Sequence, residues 1–143
     1  MSRFQILVLN GPNLNLLGTR EPEVYGNSTL DDLVSDLRKR FPDIEIADVQ
    51  SNDEGALIDA IQDFGSRFNG IVFNPGGYAH TSVAIRDAVS SISAPVIEVH
   101  ISNIHAREEF RNISIVGGAC KAVISGLGVS GYAVAIAHLK SLS

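Results

Sequence analysis

Two short stretches bring together side chains of complementary chemistry. The first runs from Arg20 to Tyr25, between Gly18 and Gly26. A phenol titrates near pH ~10 and is a poor base at neutral pH. A guanidinium beside it favours the phenolate, and each unit of depression corresponds to about 1.4 kcal/mol. An arginine and a tyrosine on one glycine-flanked loop therefore suit a cation-activated base under a lid. The second stretch is Glu98-Val-His100. Residues two apart in a strand share a face, so Glu98 can hold the His100 imidazole in the charged form that a general acid needs. The backbone N–H groups of Ile101-Ser102-Asn103 follow, and a turn there is a natural receptor for a carboxylate. Each stretch also has a plainer reading: a solvated loop with its tyrosine packed down, and a buried ion pair at a strand end.

Both stretches need elements to carry them. Ile6-Leu7-Val8-Leu9 is a short apolar run, as in a strand buried on both faces, and it stops on the turn-forming Asn10-Gly11-Pro12-Asn13. A helix follows from Ser28, with Ser28 and Asp31 as a capping arrangement and Leu30, Leu33, Val34, Leu37 and Phe41 at helical spacing. Ile44, Ile46 and Val49 read as a second strand. Ser51 and Glu54 suggest a capping box for a second helix bearing Leu57, Ile58, Ile61, Phe64 and Phe68. Ile71-Val72-Phe73 is a third strand that stops at Asn74. Thr81 or Ser82 can cap a third helix, and Val96 to Val99 is a fourth strand. A short helix is expected at 106–110, a fifth strand at 113–116 and a last helix from Ala119 to Leu142.

Strands and helices alternate, which implies a parallel sheet covered on both faces. The fold expected is α/β: a flavodoxin-like, doubly wound, five-stranded sheet of order 2-1-3-4-5, in one domain over 1–143. Such a sheet binds ligands beyond the carboxyl ends of its strands, at the switch point between strands 1 and 3. Asn10 and Asn13, Asn74 and His80, and Glu98 and His100 all fall at that edge.

Composition narrows the function further. With 143 residues, 45% of them apolar, the chain can bury a sizeable core. A net charge of -5, with three lysines and eight arginines that form no stripe, argues against nucleic acid. One cysteine, Cys120, excludes an intrachain disulfide and fits a reducing compartment. No apolar run is long enough to span a membrane, and a cytoplasmic location is expected. Gly126-Leu-Gly128-Val-Ser-Gly131 matches a dinucleotide fingerprint by letter, but no clear strand precedes it and no second βα unit follows. Close helix packing is its better explanation. His100 and His105 lack a matching third group for a metal.

Four blocks resemble type II 3-dehydroquinate dehydratase: NGPNLNLLGTREPEVYG (10–26), QSNDEGALID (50–59), NPGGYAHTSVAIRDA (74–88) and EVHISNIHAREEFR (98–111). The resemblance implies dehydration of 3-dehydroquinate to 3-dehydroshikimate through an enolate, without a cofactor or metal. It implies Tyr25 as base, Arg20 as the cation that activates it, and His100 as general acid oriented by Glu98. Asn13 would help fix a water at the enolate oxygen. Asn74 and the Ile101 and Ser102 backbone would hold the substrate carboxylate and a nearby hydroxyl, and His80 and Arg111 the ring hydroxyls. Asp87 matches a position that reaches a neighbouring subunit's site, in trimers that pack into a dodecamer. The unrelated type I enzyme uses a lysine imine; Lys39, Lys121 and Lys140 lie away from the proposed edge. Asn112-Ile113 stand where the family has a histidine pair. The competing class is a flavodoxin-like small-ligand binding or signalling module. A phospho-receiver would need an aspartate where Asn74 stands.

Overall fold

The first strand in the chain lies inside the sheet, with a neighbour on each side. In the computed structural model, which describes residues 3–19, 23 and 27–143, β1 (Phe4–Asn10) pairs in parallel with β2 (Ile44–Gln50) on one side and β3 (Gly70–Asn74) on the other. Next come β4 (Val96–His100) and β5 (Ala122–Ser125), all parallel, so the order is β2-β1-β3-β4-β5. The expected doubly wound sheet is present. Among the described residues, four helices cross it: α1 (Leu30–Arg40), α2 (Glu54–Gly65), α3 (Val83–Ser91) and α4 (Ser130–Ser141).

Because β1, β3 and β4 are apolar on both sides, each contributes alternate residues to two cores. Ile6, Val8, Val72, Ile97 and Val99 meet Leu33 and Leu37 of α1 and Ala135, Ile136 and Leu139 of α4. Leu7, Leu9, Ile71, Phe73 and Val96 meet Leu57 and Ile61 of α2 and Ile85 and Val89 of α3. The helices thus divide two and two between the faces.

The helix starts fall close to their expected caps. The box of α1 uses Thr29 and Asp32, one residue after the expected Ser28 and Asp31, with both reciprocal bonds made. At α2 the cap is Asp53, which accepts from the Ala56 N–H, while Ser51 accepts from the Asp53 N–H. Ser82 caps α3. The expected short helix at 106–110 is two 3-10 turns, Ile104–Ala106 and Glu109–Arg111.

The fifth strand is not at 113–116. That segment is tied crosswise to the turn after β3, with the Ile115 N–H donating to the Ala79 carbonyl, and Ile113 is 74% exposed. The free edge of β4 is taken instead by Ala122–Ser125, which the expected long helix had absorbed. Gly126 and Gly128 stop any helix there, because both adopt positive φ (90° and 63°). The glycine motif therefore does follow a strand, contrary to expectation. Gly131 sits where a Cβ would come within 3.2 Å of Val99, so close packing of α4 on the sheet is its role.

Candidate active site

Register alone brings three amide side chains level at the carboxyl edge. Asn10 of β1 is aligned with Gln50 of β2 and with Asn74 of β3. Phe73 is aligned with Glu98, so β4 reaches one residue further and carries His100 beyond the level of Asn74. The cavity at this edge is lined by Pro12, Asn13, Leu14, Leu17, Asn74, Gly76, Gly77, His80, His100, Ile101, Ser102, Ile104, Arg107 and Arg111. It lies at the switch point between β1 and β3, where the topology requires it.

Glu98 is fully buried and His100 is 6% exposed. Glu98 Oε2 lies 2.7 Å from His100 Nε2, which leaves the other ring nitrogen for the cavity. His80 stacks near that ring, with centroids 6.1 Å apart and planes 25° apart. Its Nδ1 lies 2.8 Å from the Ile113 carbonyl. A carbonyl only accepts, so His80 Nδ1 carries a proton.

The asparagines are fixed from behind. Tyr132, fully buried on α4, donates its hydroxyl to Asn10 Oδ1 at 2.6 Å and accepts from Asn74 Nδ2 at 3.0 Å. Asn74 Oδ1 accepts from the Gly76 N–H. The amide orientation of Asn74 is therefore set by its partners. Burial pushes the Tyr132 phenol up, with the Asn74 bond opposing.

Asn13 is the one described non-glycine residue at positive φ (71°), a conformation that asparagine tolerates better than most. Its N–H donates to Asn52 Oδ1 at 3.0 Å, and Gln50 Nε2 donates both to that oxygen and to the Gly11 carbonyl. The end of β2 thus braces the turn after β1.

Arg111 and Arg107 flank the far wall. Glu108 lies 3.2 Å from Arg111 and 3.8 Å from Arg107. Its own backbone N–H, then the Arg111 guanidinium, hold the Glu108 carboxyl below the usual range. Arg107 also donates to Ser102 Oγ at 3.4 Å.

Of the residues expected to act, Asn13, Asn74, His80, His100, Ile101, Ser102 and Arg111 line one cavity, and Glu98 lies behind His100. Asp87 is not there: it lies exposed on α3. Arg20 and Tyr25 lie outside the described residues. Sequence reasoning missed Arg107, the brace of Gln50 and Asn52, and Tyr132. The only sequence signal for Tyr132 is a hydroxyl-bearing ring within an apolar helical stripe.

Comparison with known proteins decides the family. The model for class II dehydroquinases matches residues 4–140. The chain belongs to that family. It is 55% identical over 134 residues to a 3-dehydroquinate dehydratase of Exiguobacterium sp., spanning 93% of this chain and 92% of the relative. It is 52% identical over 136 residues to a catabolic 3-dehydroquinase of Penicillium rubens, spanning 94% and 88%. The crystal structure of a type II dehydroquinase from Butyrivibrio crossotus superposes with a TM-score of 0.94 at 49% identity, covering 98% of this chain and 99% of that one. The signalling-module alternative loses its ground, and the dehydroquinase fold accounts for the site's place at the sheet edge.

Proposed function

We propose that the chain dehydrates 3-dehydroquinate to 3-dehydroshikimate, with Tyr25 as base and His100 as acid. The observation that carries this reading is the buried Glu98–His100 pair opening onto a cavity at the switch point. Tyr25, as the phenolate favoured by Arg20, removes a proton next to the ketone. The electron pair moves into an enolate, which a water held by Asn13 stabilises. Collapse of the enolate expels the tertiary hydroxyl, and His100 gives it a proton so that it leaves as water. Arg111, His80, Asn74 and the Ile101–Ser102 backbone hold the carboxylate and hydroxyls of the ring.

This route needs neither a cofactor nor an imine. None of the three lysines lines the cavity, and Lys140 is engaged with Asp43 at 3.6 Å. Asp87 and Val83 lie four residues apart on the exposed side of α3, which suits a neighbouring subunit that receives Asp87 at its own site. A trimer-based dodecamer is the assembly proposed.

The test is an absorbance assay for the conjugated enone product from 3-dehydroquinate. Turnover is expected to persist with chelator and after borohydride treatment in the presence of substrate. Tyr25→Phe is expected to lose nearly all turnover while still binding substrate. Folded protein without turnover would leave a ligand-binding module. A Phe variant of near-normal rate would remove Tyr25 as base.

A further inference from the structure

We propose that Ser114 is a positioning residue for the acid: its hydroxyl keeps Glu98 ionised, so that the proton between Glu98 and His100 stays on the imidazole. The proposal rests on the dehydratase reading and assigns a role to a residue outside the cavity lining.

Ser114 Oγ lies 2.7 Å from Glu98 Oε2, the same oxygen that contacts His100 Nε2. Its direction is set by the backbone. The Gly117 N–H donates to Ser114 Oγ at 2.9 Å, which occupies the oxygen as acceptor and leaves the hydroxyl proton to be donated. The Ala79 carbonyl, at 3.4 Å, is the weaker of its two acceptors. Glu98 Oε2 therefore receives two donors, Ser114 and His100. Glu98 Oε1 is buried with no hydrogen-bond partner among the described residues. Among the described residues, the hydrogen bonding to this buried carboxylate thus passes through one oxygen, and Ser114 supplies one of the two bonds.

A donor to a carboxylate favours the charged form. Remove it, and Glu98 becomes a stronger base and draws the shared proton away from His100. The dyad then holds its proton to higher pH. Among the described residues, the other titratable or charged groups near it are few. His80 stacks on His100 from the turn after β3, and Arg107 and Arg111 share its cavity. Cys120 feels the Glu98 charge from the segment before β5, as it feels Arg86 of α3, whose guanidinium bonds the Ile115 carbonyl. Ser114 is distinguished from these by direct contact. Its segment also places the Ile113 carbonyl on His80, so one strap holds both histidines.

The test uses the full chain with 15N-labelled histidine. His80, His105 and His138 are the other histidines, so His100 is assigned by single substitution. In the wild type the His100 Nε2 is expected to carry its proton. In Ser114→Ala that signal is expected to shift as the proton moves toward Glu98. In the same variant kcat is expected to fall roughly tenfold with KM within about twofold, and the basic limb of the kcat profile to move upward. A bare His100 Nε2 in the wild type would overturn the proposal, even if the variant fails to fold. So would a variant whose spectrum and basic limb are unmoved, whatever its rate. The spectrum needs no substrate, so it judges Ser114 even if the wild type proves not to dehydrate 3-dehydroquinate.

Discussion

Cys120 packs against the core beneath α2 and α3, with its Sγ donating to the Val116 carbonyl at 3.5 Å. A free thiol there titrates near 9; burial, then the Glu98 charge, pushes it up to about 12, with Arg86 opposing. Between those values the folded state keeps a proton that the unfolded state has lost. The stability is complete below pH 9 and declines as pH rises through that window. Tyr132 acts in the same sense. Denaturation midpoints are expected to fall above pH 9, and Cys120→Ala to flatten part of the fall; an unchanged slope would contradict this. Thiol reagents at pH 8 are expected to label Cys120 slowly in the native protein and at once in denaturant. At this scale the sequence showed the site where a polar residue ends an apolar run, as Asn10, Asn74 and His100 do. It did not show Ser114 or Tyr132. The site residues they bond, Glu98, Asn74 and Asn10, lie 16 to 122 residues away, so no local pattern marks them.

The turns that hold the site leave little room between elements. Gly11 donates its N–H to the Asn74 carbonyl at 2.8 Å, and a Cβ on it would come within 2.6 Å of the Pro75 oxygen. Gly11→Ala would push the end of β1 away from the turn after β3 and widen the cavity between them. The expected cost is about 1–3 kcal/mol in denaturant unfolding, with a rise in KM for 3-dehydroquinate. An unchanged midpoint and KM would show that the turn yields freely. Element order and strand register were legible because apolar runs of strand length alternate with helical stripes. The cap of α1 shifted by one residue because Ser28 and Thr29 both offer a hydroxyl, and the box closes where the Asp32 carboxylate can reach back. β5 was hidden because its four residues are half exposed and lie beside a helix of similar composition. The apolar letters at 113–116 suggested a strand, but Ile113 faces out and Ser114 is turned toward Glu98.

Val83, Phe110 and Ile113 are large apolar side chains that stand 57%, 68% and 74% exposed. Such surface on a lone chain suits cover by another copy, in keeping with the proposed assembly. Light scattering is expected to give a mass many times the 15.3 kDa of one chain; a monomer that turns over 3-dehydroquinate at full rate would end the claim that Asp87 completes a neighbour's site. Ile113 stands where the histidine pair was expected, and only its carbonyl serves His80. The bond from Tyr132 to Asn10 spans nearly the whole chain, and it has a consequence for synthesis. While the ribosome is still making the later strands, the Asn10 and Asn74 amides already stand at the ends of their strands without the phenol that joins them. The floor of the cavity is closed only once α4 has emerged. A nascent chain can therefore pair β1 with β2 and β3 early, but it acquires a site only when translation has passed residue 132.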